Sequence, residues 1–136
     1  MDNLQTSQQS LTFNKNERLC RKILIDRLFA GGSKSILAFP IRMVYLPVEK
    51  ESTPEPVSIL ISVPKKRFRR AVKRNRVKRQ IREAYRHNKS ILVNKIEENN
   101  GNHLIIGFIW LDDKLHESTE INSKMNNLLT RLIERL

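Results

Sequence analysis

The chain is poor in several things at once. Its 136 residues include one cysteine, four glycines, eight aromatic residues and fourteen acids. The single cysteine, Cys20, excludes an internal disulfide framework and fits a reducing compartment. It also leaves too few thiolates for a zinc finger, and His87, His103 and His116 share no metal-ligand spacing. No stretch approaches the roughly 18 consecutive apolar residues of a membrane span, and the polar residues 1–10 lack the apolar core of a secretory signal. A cytoplasmic domain without membrane attachment is therefore expected. Gly31-Gly32-Ser33 has neither the lysine nor the flanking pattern of a phosphate-cradling loop and reads as a helix stop. Asp112-Asp113 and Glu97-Glu98 are adjacent pairs, suited to turns and helix ends rather than to an acid/base dyad. Cys20 reads as a packing residue of an amphipathic helix. No nucleophile–base–acid set stands out, and no acidic cluster suggests a metal-dependent nuclease.

What the chain has in excess is positive charge. Lys and Arg number 26, for a net charge of +12 and a pI near 10.4. Between Lys65 and Lys89 there are thirteen cations and one acid, Glu83, a net of +12; the remainder of the chain sums to zero. A solvated helix face usually mixes signs at positions three and four apart. This segment repels itself unless an anion neutralises it, which points to a polyphosphate partner.

The coarse pattern is helix, strand, strand, helix, strand, helix. Residues 1–12 are polar and are expected to form a mobile tail, leaving 13–136 as a single domain that binds the polyanion. Asn14 and Glu17 resemble a capping box opening a helix that runs to about Ala30. Ile25 and Phe29, four apart, share a face of it that is either ordinary core or the lining of a groove. Phe39 to Leu46 alternates as a strand with Phe39, Ile41, Met43 and Tyr45 on one face, and Pro40 suggests an edge or a beginning. A proline-rich loop covers 47–56, and Val57 to Val63 alternates again. From Ala71 to Gly101 no Gly or Pro interrupts, which predicts a helix that is long or broken near His87-Asn88. His103 to Leu111 reads as a buried strand. A last helix carries Met125, Leu128, Leu129, Leu132 and Leu136, capped by Ser118 or Thr119. The class is α+β, a single two-layer α/β sandwich with a small mixed sheet.

On a wheel of about 100° per residue, Val77, Ile81, Ala84 and Tyr85 cluster as the core face of the long helix. Asn75, Lys78, Arg79, Arg82 and Arg86 fall to one flank and Arg76 to the other, with Arg74 at the edge of the apolar stripe. Lys65, Lys66, Arg67, Arg69 and Arg70 form a basic loop just before it. Arginine's planar fork holds phosphate by two hydrogen bonds and stacks on bases, and the Asn75 amide reads more than charge. The pattern alone allows DNA or RNA. No short helix-turn precedes this helix, as a major-groove reader would require. Aromatics are too few for a base-stacking platform, so a folded RNA with a dense phosphate surface fits best.

The run from Phe68 through Arg74-Asn75-Arg76-Val77-Lys78-Arg79 to Ile81-Arg82, after a strand ending Val63-Pro64-Lys65-Lys66, resembles the signature of the bacterial ribonuclease P protein subunit. The resemblance extends more weakly to Phe29 with Gly31 two residues on, to the Phe39–Tyr45 strand, to the apolar strand near Ile105 and to the final helix. It implies an accessory subunit that binds a large catalytic RNA. The RNA, with Mg²⁺, removes the 5′ leader of precursor tRNA, and the protein itself holds no cofactor. It places Arg74, Asn75, Lys78, Arg79 and Arg82 against the RNA. It also implies a left-handed strand–helix–strand crossover and a leader cleft matching Ile25, Phe29 and Met43. Two of those three positions are often aromatic in the family, so base stacking, worth about 1–3 kcal/mol per base, is reduced here. No protein partner is implied. A structural RNA-binding protein of ribosomal type is the alternative that the charge pattern alone would serve.

Overall fold

The structure is a computed structural model that describes Phe13 and residues 15–136; the expected tail 1–12 and the capping residue Asn14 lie outside the described residues. In chain order the elements are α1 (Lys22–Phe29), β1 (Lys34–Ala38), β2 (Ile41–Val48), β3 (Val57–Ser62), α2 (Ala71–Asn99), β4 (His103–Trp110) and α3 (Ser118–Arg135). The sheet order is β1-β2-β4-β3. The β1–β2 and β2–β4 pairs are antiparallel and β3–β4 is parallel. A parallel pair needs a long crossover, which α2 supplies.

Alternation sorts the sheet into two faces. Ile41, Met43, Tyr45, Ile59, Ile106, Phe108 and Trp110 point to one side, where Val77, Ile81, Tyr85 and Leu92 of α2 and Met125, Leu128 and Leu132 of α3 close the main core. Val44, Val48 and Ile105 point to the other side and are covered by Leu19, Leu24 and Leu28. The expected sandwich is thus present, with short α1 added over part of the opposite face. Gly107 permits this approach: a Cβ there would lie 3.1 Å from both Leu28 Cδ2 and Val44 Cγ2.

Several local expectations change. The first helix does not run from Asn14 to Ala30. Lys15–Glu17 is a single 3₁₀ turn, and the chain then runs beside edge strand β3, with Arg18 bridging to Ile59 and Leu19 N–H donating to Ile59 O at 2.7 Å. Those backbone groups serve the sheet, so the helix starts only at Lys22. Cys20 falls in this connector and is exposed, not packed. Strand β1 was not expected; its short Lys34–Ala38 segment is stabilised by pairing with β2 rather than by its own pattern. Phe39 and Pro40, joined by a cis bond, form the β1–β2 turn, which moves β2 onward to include Pro47. The long helix passes unbroken through His87-Asn88 and ends at Asn100, in the left-handed conformation (φ 49°). At α3 the N-cap is Glu117, without a side-chain cap, and Ser118 is already helical.

One buried ion pair ties the amino-terminal segment to α2. Lys89 Nζ lies 2.7 and 2.6 Å from the two carboxylate oxygens of Glu17, and both residues are at most 5% exposed. Lys89 therefore leaves the solvent-facing charge of the basic segment. Phe13 packs edge-on against Tyr85 beside it, with centroids 6.2 Å apart.

A second cluster pins the approach to α3. His116 Nε2 is 2.7 Å from Asp112 Oδ2 and its Nδ1 is 3.0 Å from Glu120 Oε2, with the ring edge-on to Trp110. Burial by itself pushes the imidazole pKa down. Hydrogen bonds and charge from Asp112 and Glu120 outweigh that and leave it above the ordinary value of 6.5.

Two expectations follow. Removing one partner of a buried pair strands the other charge, so Glu17→Ala should lower unfolding free energy by about 3–5 kcal/mol, while the double replacement Glu17→Leu/Lys89→Met should restore most of it. Urea unfolding checks this, and a loss within about 0.5 kcal/mol, typical of a surface change, would contradict it. The raised His116 value means its contribution is complete below about pH 6.5 and is lost as pH rises through the folded-state value. Melting temperature should therefore fall as pH rises above about 6.5 in the parent, and fall less in His116→Asn. Superimposable profiles would remove the imidazolium from the stability of this loop.

Candidate nucleic-acid interface

The basic ridge is built on four anchors. Val77, Ile81 and Tyr85 are fully buried and Ala84 nearly so, as the wheel required. Around them Asn75, Arg76 and Arg79 are exposed, while Lys78, Arg82 and Arg86 are half-buried. The first turn of α2 holds no acid. A helix N-terminus already carries partial positive charge, so Lys73 and Arg74 there leave it in need of an anion.

The loop before α2 is ordered by two contacts. Phe68 is buried in the main core, and Arg74 Nη1 donates to the carbonyls of Phe68 and Arg69 at 2.7 and 2.9 Å. Arg74 is thus a half-buried clamp that shapes the loop as well as a ridge cation. Arg67 is also partly engaged, with Nη1 3.4 Å from Asp113 Oδ1. Arg86 pairs with Glu83 at 2.9 Å, and this hydrogen bond, working against a small desolvation cost, holds the Glu83 carboxyl below its usual range. Among the described residues, no salt bridge engages Lys65, Lys66, Arg69, Arg70, Lys73, Arg76, Lys78, Arg79 or Arg82.

The expected cleft trio is only partly assembled. Ile25 and Phe29 lie on α1, half-buried and 47% exposed respectively, with Phe29 Cζ 3.4 Å from the Cβ position of Gly107. Met43 does not join them. It is fully buried on the opposite face, in the core shared with α2 and α3, because its partners in register are Ile36 and Phe108.

The strand residues that do face α1 are Val44, Leu46 and Ile105, with Gly107 between. Beyond the end of α1 one cross-strand row stays open, running Leu37–Arg42–Ile109–Ser62. Leu37 and Arg42 are exposed, while Ile109 and Ser62 are half-covered. This row combines apolar surface with one exposed cation, Arg42, and is flanked by Phe29. Arg42 was legible as the polar phase of the Ile41-Met43-Tyr45 alternation. Leu37 was not, because β1 itself was missed.

Comparison with known proteins bears on the family and the fold. A family model described as Ribonuclease P matches residues 13–132. The ribonuclease P protein component of Porphyromonas gingivalis is 39% identical over 127 residues, covering 93% of this chain and 90% of that protein. The component from Chlorobaculum tepidum is 36% identical over 93 residues, covering 65% of this chain and 60% of that protein. Among solved structures, a Staphylococcus aureus RNase P protein mutant with defective mRNA degradation activity aligns with a TM-score of 0.65 at 19% identity, over 97% of this chain and 98% of that one. The Thermotoga maritima RNase P protein aligns at 0.54 and 21% identity, over 88% and 96%. At such identities these two show the shared fold, a small mixed four-stranded sheet with three helices. Family match, curated relatives and fold converge on one conclusion: the chain belongs to the ribonuclease P protein family, the accessory protein component of a ribonucleoprotein endoribonuclease.

Proposed function

We propose that α2 and its preceding loop bind the ribonuclease P RNA, and that the open row of the sheet beside α1 receives the single-stranded 5′ leader of precursor tRNA, in the cytoplasm. The observation that carries this is the run of cations from Lys65 to Arg82, in which Arg67 alone has an acidic partner, Asp113, among the described residues. A dense phosphate surface neutralises such a run and releases its own counterions. In the cleft, Phe29 offers a stacking face, and Leu37 and Ile109 offer apolar surface to bases. Arg42 replaces Met43 as the β2 contact, pairing with the leader's phosphates.

Mg²⁺ held by the RNA would supply charge stabilisation at the scissile phosphodiester and a more acidic bound water. The protein's part is electrostatic and positional. Its cations replace counterions that the RNA would otherwise draw from solution, which lowers the Mg²⁺ needed. Among the described residues no group of three or more His, Cys, Asp or Glu side chains converges to hold a metal.

The direct test is cleavage of precursor tRNA by a bacterial ribonuclease P RNA at low Mg²⁺, with and without the protein. Strong stimulation, with no cleavage by protein alone, is expected. Absent stimulation with tight binding to unrelated RNA would favour a structural RNA-binding role instead. Arg79→Ala should weaken RNA binding and reduce the magnitude of the salt-dependence slope by about 0.7–0.9, the value of one phosphate contact; an unchanged slope removes Arg79 from the interface. Phe29→Ala should weaken binding of leader-containing precursor by about 1–3 kcal/mol while sparing mature tRNA. Equal loss on both substrates would assign Phe29 to packing alone.

A further inference from the structure

A groove of about 660 Å³ separates α2 from the first turns of α3. Polar bridges brace it at both ends. At one end Gln80 Nε2 donates to His116 O and Ser118 Oγ at 3.1 and 3.0 Å. At the other, Asn88 Nδ2 donates to Asn122 Oδ1 at 2.9 Å and Asn126 Nδ2 donates to Asn88 Oδ1 at 3.2 Å. These bridges span eight residues of α2, about 12 Å of helix. Between them the nearly buried side chain of Ala84 lines the groove and leaves room there, while the bridges at either end fix the spacing of the two helices.

Its walls are chemically asymmetric. Arg76 and Arg79 stand at the end nearer the α2 N-terminus, with Thr119 of α3 also lining the groove. Further along stand Glu83, His87 and Asn122. An anion is favoured beside the two arginines and disfavoured beside Glu83. Arg86 donates to both oxygens of the Glu83 carboxylate and His87 Nε2 lies 3.6 Å from Oε1, yet a carboxylate has about four acceptor sites and can take one more donor. The ligand this geometry suits has a phosphate at one end and a planar group with N–H donors at the other. Sequence-specific RNA recognition relies on such splayed, unpaired nucleotides, and a carboxylate reads an exocyclic amino group.

We propose that this groove holds one unpaired nucleotide of the ribonuclease P RNA, its phosphate on Arg76 and Arg79 and its amino-bearing base edge toward Glu83 and Asn122. The inference rests on the RNA-binding reading of α2. The source is the RNA subunit rather than the leader because the groove opens between α2 and α3, on the side of the sheet opposite α1 and the open row.

Chemical probing of Watson–Crick edges on ribonuclease P RNA, with the full chain at saturation, tests this. The parent protein should protect one unpaired nucleotide. Thr119→Trp, an exposed position that fills the groove, should restore its reactivity, weaken RNA binding about tenfold and leave the preference for precursor over mature tRNA unchanged. Glu83→Ala, also exposed, should lose the same protection without a comparable fall in affinity, since it removes an acid from a cationic face. It keeps the test decisive if circular dichroism shows that the tryptophan variant is misfolded. Protections that persist in both folded variants, or that appear only on the precursor tRNA, overturn the proposal. Arg79→Ala separates the two levels. If it weakens binding while the groove variants change nothing, the groove alone is refuted; if it too changes nothing, the ridge falls with it.

Discussion

The apolar stripe of α2 is the constraint on which this molecule depends. A helix with this density of like charge is self-repelling and has little reason to form by itself. Val77, Ile81, Ala84 and Tyr85 seat it on the sheet, each large side chain contributing about 1.5–3 kcal/mol by burial. Because the stripe is narrow, the cations are forced onto the remaining circumference and cannot be hidden. The one that is hidden, Lys89, lies on the turn beyond the ridge and is met by Glu17 at hydrogen-bonding distance. The helix therefore changes character along its length, from unpaired cations near its start to a paired and packed second half.

The sheet imposes the second constraint, through its alternation. Met43 and Val44 are neighbours with opposite fates. Met43 fills the main core, while Val44 lies under Leu28 across from Gly107. A strand's side-chain period of two means that assigning one residue to a cleft commits every second residue with it. Once Ile41 and Tyr45 are core, Met43 must be core too, and the α1 side belongs to Arg42, Val44 and Leu46. The open row beyond α1 exists because α1 is only eight residues long. It covers Val44 and Ile105, leaves Ile109 only partly covered and leaves Arg42 exposed.

The charge segregation, the apolar stripe of α2, the strands near Ile59 and Ile106 and the amphipathic last helix were all legible in the sequence, because each is a short-range pattern set by helix or strand periodicity. The Arg74-Asn75-Arg76 signature carried the family for the same reason: it is local and dense. What the sequence did not disclose depends on partners distant along the chain. β1 exists through pairing with β2, and the residues before α1 are diverted to the edge of β3. Arg74 became a loop clamp, Met43 moved to the other face, and the α2–α3 groove arose from amide bridges 34 to 38 residues apart. Local residue chemistry pointed to a polyanionic partner and to the helix that carries the excess charge. Only tertiary structure decided which side chains remain free to do so, because burial and pairing are properties of neighbours in space.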